Sequence, residues 1–366
     1  MRGRVDHLDG IRALAILAVL GAHWVATYLP VGKGGYLGVD VFFVLSGFVI
    51  TSVMWRSRSS EPVGRQYVTF LRKRVRRLYP ALLALVVVSP IAVALAPGAA
   101  VTATDAAERG LLAAVQGTWV LEAMGETTDP FRQTWSLAIE WYLYLLWPLA
   151  LYTARRRGVP ARTFARWSAL TAVVLYAAAL PMSGLLFYGT PPARFAEILV
   201  GAVIALAVAE PATPDRPGRI PTGRGPQALA LLALAAVTAY VVLAPWHYTA
   251  DPVRWLGVPL AVAATGWLVL HGVAETGGPA LRLLSWGPLA LLGRASYSLY
   301  LWHWLPVYLL DKDSIGLPVP VLALLGVGLA AGLTTASYLL LERPFMGSHA
   351  AALRPGRESP APTERV

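Results

Sequence analysis

The sequence lacks cysteine and contains few charged residues for its length. With no cysteine among 366 residues, disulfides, thiol nucleophiles and thiolate metal sites are excluded, and the redox compartment is left open. Only 14% of the residues are charged, against about 25% in an average soluble domain. Hydrophobic residues reach 56%, and the mean hydropathy is +0.56. This composition predicts an integral membrane protein rather than a soluble enzyme.

Lysine is also scarce, since it stands only at positions 33, 73 and 312, and arginine supplies most of the positive charge. The net charge of +11 invites a nucleic-acid-binding interpretation. The arginines, however, lie between apolar segments rather than in one patch interleaved with aromatic residues. We therefore expect a lipid bilayer as a partner and no nucleic acid.

The apolar segments predict an all-α, polytopic bundle of about ten transmembrane helices, because a spanning helix needs about 20 largely apolar residues. The segments are 8–29, 36–55, 79–97, 135–153, 167–182, 195–209, 227–245, 253–271, 289–310 and 318–341. Between the third and fourth lies an apolar stretch, 111–121, that is too short to span and is expected to be re-entrant or interfacial. The membrane domain covers 1–345, and a short disordered cytoplasmic tail at 346–366 is expected to follow it.

The charge of the loops predicts the orientation, because cytoplasmic loops retain arginine and lysine. With the N-terminus inside, the inner segments of a ten-span chain carry 24 basic residues and the outer segments carry 6. An error in the number of spans would distribute the basic residues over the loops of both sides. The sequence therefore predicts both termini in the cytoplasm of a multi-pass cell-membrane protein.

Two ionisable residues, Arg12 and His23, lie inside the first apolar stretch. Eleven residues at roughly 100° each make about three helical turns, so both side chains share one face, about 16 Å apart along the axis. An ionisable group in a spanning helix costs about 2.5–3.5 kcal/mol on insertion scales, and it normally faces a protein interior or a water-filled cavity. The pair therefore indicates a functional face that points into the bundle.

The predicted orientation gives each polar residue a depth. Two histidines and two acids are expected in the outer half, namely His23, His303, Asp40 and Glu140. The inner half is expected to hold Arg12, the basic run 72–77, Arg294 and the pair at 342–343. Guanidinium groups suit a phosphate-bearing cytosolic molecule, and an outer histidine suits proton abstraction from a hydroxyl. The two zones are separated by about the length of a pantetheine arm, which fits an acyl-CoA with its thioester reaching outward.

Structural interpretations remain open at this stage. The arginine run 72–77 would follow from the positive-inside rule alone. An intramembrane histidine, or Glu140, could simply hydrogen-bond a neighbouring helix. No metal site is predicted, because the histidines lack close ligand spacing. The residues by themselves leave the function undecided.

Seven motifs make the chain similar to the acyltransferase family 3 of membrane acyltransferases, and we expect it to be a membrane domain standing alone. In chain order they read LDGIRALAILAVLGAH, GVDVFFVLSGFVIT, RVRRLYP, TWSLAIEWYLYLLWP, RFAEILVGA, LGRASYSLYLWHW and LLERPF. The resemblance implies an enzyme that moves an acyl group, usually acetyl, from acyl-CoA onto a sugar hydroxyl. It implies His23 as the base of an Arg-x10-His pair with Arg12. It also implies Arg74 and Arg77 as donor contacts and Glu140 as the acid of the Trp-Ser-Leu motif.

These inferences together predict an O-acyltransferase that acylates a cell-surface or lipid-linked glycan. In it, His23 deprotonates the acceptor and Asp40 or Glu140 orients the imidazole, while Arg12, Arg74 and Arg77 hold the donor. Additional candidate site residues are His303, Arg294, Ser46 and Trp135. Acyl-CoA is a co-substrate, and no permanently bound cofactor is expected. The alternatives are acylation of a small glycosylated metabolite such as a macrolide, and a polytopic transporter.

Overall fold

The computed structural model describes residues 3–26, 31–57, 61–96, 100–209, 222–274, 277–310 and 315–346. The predicted tail therefore lies outside the described residues except for Met346. Within the described part, the chain is helical and contains no strand. In chain order the α-helices are α1 Gly3–Leu20, α2 Leu37–Arg56, α3 Val63–Leu95, α4 Ala103–Ala114, α5 Thr118–Ala123, α6 Thr134–Arg156, α7 Ala161–Ala179, α8 Gly184–Gly189, α9 Pro191–Ala207, α10 Arg224–Leu243, α11 Val258–Ala274, α12 Pro279–Leu284, α13 Gly287–Arg294, α14 Ser296–Trp302, α15 Trp304–Leu309 and α16 Val319–Ser337.

Six helical segments of the described chain are long and apolar enough to cross a membrane. They are Asp6–Val25, Lys33–Arg56, Val63–Leu95, Arg224–Leu243, Val253–Ala274 and Val319–Phe345. The other four predicted spans correspond to α6, α7, α9 and the broken run α13–α15. Helix α9 has only 17 residues, and the run α13–α15 is interrupted twice. Ten spans and the cytoplasmic position of both termini stay predictions.

Helix α3 differs most from its predicted bounds. It has 33 residues and begins at Val63 rather than at position 79, so the basic run 72–77 is helical. At 1.5 Å per residue its length is about 50 Å, more than the roughly 30 Å of a hydrocarbon core. The basic residues at 72–77 therefore lie on the extension of a spanning helix, from which some of the arginine side chains can point toward the bundle.

Helix α2 forms the centre of the bundle and packs closely on α9. A side chain at Gly47 would place its Cβ 1.9 Å from the carbonyl oxygen of Ile198, and one at Gly201 would place it 2.0 Å from that of Val44. Only glycine permits this approach, and small residues at helix contacts are typical of membrane bundles. The close packing brings the polar residues of α2 against α6, α9 and the end of α1.

Two irregular segments position the histidines. A π turn at Gly21–Val25 follows α1, and π turns often occur at functional sites. The second irregularity separates α14 from α15 at His303. Pro306 lies in the next turn, and proline cannot donate the amide hydrogen bond that a continuous helix needs. The predicted single helix over 289–310 is therefore three short helices.

Candidate active site

The structure brings the two intramembrane histidines into direct contact. His23 Nδ1 lies 2.9 Å from His303 Nε2, although the residues are 280 positions apart. His303 is fully buried, and its Nδ1 lies 2.7 Å from the carbonyl oxygen of Tyr300. The indole nitrogen of Trp24 donates to the carbonyl of His303 at 3.3 Å, and the ring of Trp304 meets His23 edge-on. The pair is thus held by both the π turn and the helix break.

A cavity of about 360 Å³ opens beside this pair, and we call it the histidine cavity. Its volume lies within the range of small-molecule sites, about 300–1,000 Å³. Rings form much of its wall, and a few polar side chains face it as well. The ring-bearing and polar residues include His23, Tyr36, Glu122, Arg132, Trp135, Tyr188, His247, Tyr248, Tyr300 and Trp304. Aromatic faces with scattered hydrogen-bonding groups can hold a sugar.

Two groups at the rim of the histidine cavity lie outside the spanning helices. Burial raises the pKa of the Glu122 carboxyl, which lies 3.4 Å from the hydroxyl of Tyr248. Burial also lowers the pKa of His247, and the positive charge of Arg132 acts in the same direction. The guanidinium of Arg132 is exposed and lies over the ring of Trp304 at 5.5 Å. The rim therefore carries groups of both charge types.

A second, narrower cavity of about 50 Å³ lies along α1, α2 and α6, and we call it the arginine pocket. Arg12, Ser46 and Glu140 line it together with Ser136, Ser296 and Tyr297. Glu140 Oε1 accepts short hydrogen bonds from Ser46 and from Tyr144, the latter at 2.6 Å. Glu140 therefore lies with the arginines and not, as predicted, beside the histidines. It is almost two turns inside α6, deeper than Trp135.

The predicted donor arginines gather around this pocket. The guanidinium of Arg74 stacks over Phe70 and Tyr144 and lies within electrostatic range of Arg12, Arg77 and Glu140. Arg77 forms an ion pair of 3.5 Å with Glu342, which also accepts from Ser298. The structure thus brings together three arginines, from α1 and α3, and two acids, Glu140 of α6 and Glu342 of the turn that follows α16.

The two cavities share part of their walls. Val39 and Tyr300 line both of them. The Tyr300 hydroxyl is hydrogen-bonded to Ser136 at 2.7 Å, which fixes the ring at the boundary. A molecule bound among the arginines and one bound beside the histidines would therefore meet at Tyr300.

Asp40 and Arg294 are not in either cavity, contrary to the predicted roles. Asp40 Oδ1 pairs with Arg194 at 2.6 Å, and Glu197 lies 2.9 Å from the same guanidinium. All three side chains are buried. A buried carboxylate is costly unless it is paired, and Asp40 is paired with Arg194. Its contacts therefore do not serve to orient His23. Arg294 instead faces two acids of α1, Asp6 at 3.6 Å and Asp9 at 3.7 Å.

Several site residues escaped the sequence analysis. Arg194 directly precedes the predicted span 195–209, where an outer loop is expected, yet it is fully buried in the first turn of α9. Tyr300 stands in the SYSLYLWHW motif without any local sign that it would reach two cavities. Glu122 and Arg132 belong to a segment that offered only a short apolar stretch. Within the described residues, no group of three histidines or acids is arranged to hold a metal.

Comparison with known proteins identifies the family. A family model described as an acyltransferase domain matches residues 5–342. The chain belongs to this acyltransferase family. It is also a multi-pass membrane protein, given the six helices of spanning length and composition.

Curated relatives cover the same region. A protein of Bacillus subtilis (strain 168), named as a candidate peptidoglycan O-acetyltransferase, is 30% identical over 93% of the chain and 55% of the relative. The peptidoglycan O-acetyltransferase of Listeria monocytogenes is 27% identical over 94% of the chain and 56% of the relative. An O-acetyltransferase of Staphylococcus aureus (strain MRSA252) is 27% identical over 96% and 59%. The chain spans somewhat more than half the length of these relatives. No solved structure matches the chain significantly.

Proposed function

We propose that the chain is an O-acetyltransferase of the bacterial cell membrane that transfers an acetyl group from acetyl-CoA to a sugar hydroxyl of a cell-surface or lipid-linked glycan. The observation that carries the proposal is the adjacency of the two cavities. One is lined by His23, the less buried member of the histidine pair, and by aromatic rings; the other lies beside three arginines, and Tyr300 borders both. Acetyl as the transferred group and a glycan as the acceptor class are supported by the relatives, which are peptidoglycan O-acetyltransferases by name.

In the proposed reaction, Arg12, Arg74 and Arg77 bind the phosphates of CoA, and the pantetheine arm passes through the arginine pocket toward Tyr300. The acceptor sugar lies against the rings of the histidine cavity. His23 removes the proton from the hydroxyl, whose oxygen attacks the thioester carbonyl. The new C–O bond forms, the C–S bond breaks, and the proton passes from His23 to the sulfur of the departing CoA. Glu140 holds Ser46 and Tyr144 at the pocket.

The experiment uses membranes that contain the chain, radiolabelled acetyl-CoA and an isolated cell-wall glycan or its lipid-linked precursor. His23→Ala should lower transfer by about 10²–10⁴-fold, the contribution of a general base. His271→Ala is the matched control, because His271 is a buried histidine of α11 that lines neither cavity. Full transfer by the His23 variant at equal expression would eliminate the base assignment.

Two further measurements separate the alternatives. A glycosylated macrolide offered as acceptor tests the small-metabolite hypothesis, which predicts faster transfer to the macrolide than to glycan. A thermal shift of the purified protein with CoA tests the transporter hypothesis. We expect CoA to raise the unfolding temperature, since binding to the native state stabilises it. A transporter with no donor site would show no shift.

A further inference from the structure

The contact between His303 and Tyr300 determines which ring nitrogen carries hydrogen. A carbonyl oxygen can only accept a hydrogen bond, so the Nδ1 of His303, at 2.7 Å from the Tyr300 oxygen, must be the protonated nitrogen. A flipped ring would place Cδ2–H against that oxygen and lose the bond. The backbone of α14 therefore fixes both the tautomer and the orientation of His303.

The tautomer of His303 in turn determines that of His23. A neutral imidazole protonated at Nδ1 has its lone pair at Nε2, so the Nε2 of His303 accepts a hydrogen bond. The nitrogen 2.9 Å away, Nδ1 of His23, must then be the donor. His303 is fully buried, and no described carboxylate forms an ion pair with it. A charged His303 would lack compensation in this environment, which favours the neutral form.

The geometry of the two rings fits such a hydrogen bond. Their planes are nearly parallel, at 11°, and their centroids are 5.1 Å apart. This separation is what two imidazoles give when an N–H of one points at the lone pair of the other in a common plane. Trp24 and Trp304 restrain the pair on two further sides. The rings are therefore bonded edge to edge.

We propose that His303 is a positioning residue that holds His23 in the Nδ1–H tautomer, so that the Nε2 of His23 takes up the proton of the acceptor hydroxyl. The proposal rests on the proposed function for the role of His23. When His23 becomes an imidazolium, its Nδ1–H still donates to His303, whose own Nδ1–H is bonded to the Tyr300 carbonyl. A neutral imidazole and a backbone carbonyl here do what a carboxylate does in a Ser-His-Asp triad.

The direct test is nitrogen-15 NMR of the purified protein with labelled histidine. Two-bond proton–nitrogen correlations distinguish the two neutral tautomers, and the chain has 6 histidines. His23→Gln and His303→Gln each remove one signal and assign it. We expect both residues in the Nδ1–H form. A wild-type His23 in the Nε2–H form, or a doubly protonated His303, would overturn the proposal without any activity measurement.

A variant series adds a kinetic readout. His303→Leu removes the acceptor and should lower the transfer rate by about 10²–10⁴-fold, the range for a lost base or a wrong tautomer, with unchanged KM values for both substrates. His303→Gln places an amide oxygen near the former Nε2 and should restore a substantial part of the rate. His271→Gln should leave the rate unchanged. Equal rates for the leucine and glutamine variants would contradict the positioning role.

The two proposals fail in different ways. If His23→Ala abolishes transfer while the NMR finds His23 in the Nε2–H form, the role of His303 is wrong and the base assignment stands. If His23→Ala retains full transfer, the base assignment fails, and the role of His303 fails with it.

Discussion

Replacing Arg194 tests whether the Asp40 cluster is structural or chemical. Arg194 lies between Asp40 and Glu197, with its guanidinium 4.6 Å from the ring centre of Tyr188. Arg194→Met keeps much of the volume but leaves two acids buried without their cation. Asp40→Asn is the milder change. The amide oxygen of the asparagine can still accept a hydrogen bond from Arg194, and the remaining ion pair, Arg194 with Glu197, has one charge of each sign.

The two substitutions differ in expected cost. Removing one partner of a buried ion pair costs about 3–5 kcal/mol, a large fraction of the roughly 5–15 kcal/mol by which a folded protein is stable. We expect this loss for Arg194→Met. For Asp40→Asn we expect about 1–3 kcal/mol, the value of a hydrogen bond to a charged group. Most of the effect in both cases should fall on the unfolding temperature and on the yield of folded protein.

The assay combines thermal unfolding of the purified protein in detergent with the transfer rate per folded molecule. Asp40→Asn should lower the unfolding temperature and leave the rate per folded molecule within a few-fold of wild type. The reasoning would be refuted by the opposite pattern, an unchanged unfolding temperature with a hundredfold lower rate. That result would return Asp40 to the catalytic role predicted from the sequence.

Three further predictions follow from the cavities. Arg74→Ala should weaken CoA binding about 10–100-fold in a calorimetric titration, because about 1.5–3 kcal/mol of charged hydrogen bonds is lost. Replacing the exposed Arg76 of the same helix by alanine should change the CoA affinity less than about twofold. Equal losses of affinity in the two variants would contradict a specific site. Tyr300→Ala removes the ring that separates the two cavities and should raise the rate at which acetyl-CoA is hydrolysed in the absence of acceptor. A hydrolysis rate equal to that of the wild type would contradict a role of Tyr300 in separating them. Because burial raises the pKa of Glu122, the stability that the neutral carboxyl contributes in acid is lost as the pH rises through that pKa. Glu122→Gln should therefore have the melting temperature of the wild type at acidic pH and a higher one at alkaline pH. A higher melting temperature of the wild type at alkaline pH would show that the Glu122 anion is stabilised.

The all-helical fold followed from composition and from the length of apolar runs. Each of the ten predicted segments overlaps a helix within the described residues, and six of them coincide with helical segments long and apolar enough to span. The predicted length failed where the apolar run is interrupted, as between α14 and α15 at His303, with Pro306 in the next turn. A period of 3.6 residues predicts a helix, but it carries no information about a break caused by contacts with distant helices.

The site was predictable only in part, because depth was derived from position along a span. This rule placed His23 and His303 together, and the structure has them in contact. The same rule placed Asp40 and Glu140 with them, but neither acid lines the histidine cavity. Depth alone does not decide which helix face a side chain occupies, and each acid is bonded to donors on neighbouring positions: Arg194 for Asp40, Ser46 and Tyr144 for Glu140.

The division of roles between the two cavities follows from these pairings. A carboxylate bonded directly to His23 would compete with the acceptor hydroxyl as a hydrogen-bond partner, and it would attract the donor arginines. Glu122, which lines the same cavity, accepts its hydrogen bond from Tyr248. With Asp40 neutralised by Arg194 and Glu140 held by Ser46 and Tyr144, these two acids already have partners. The guanidinium groups of Arg12 and Arg74 are thereby left to an anionic ligand, and His23 is oriented by a neutral partner. Negative charge introduced beside the pair, as in His303→Asp, should therefore stabilise the imidazolium form of His23 and move the rise of the transfer rate to higher pH, and a pH profile equal to that of the wild type would contradict this reasoning.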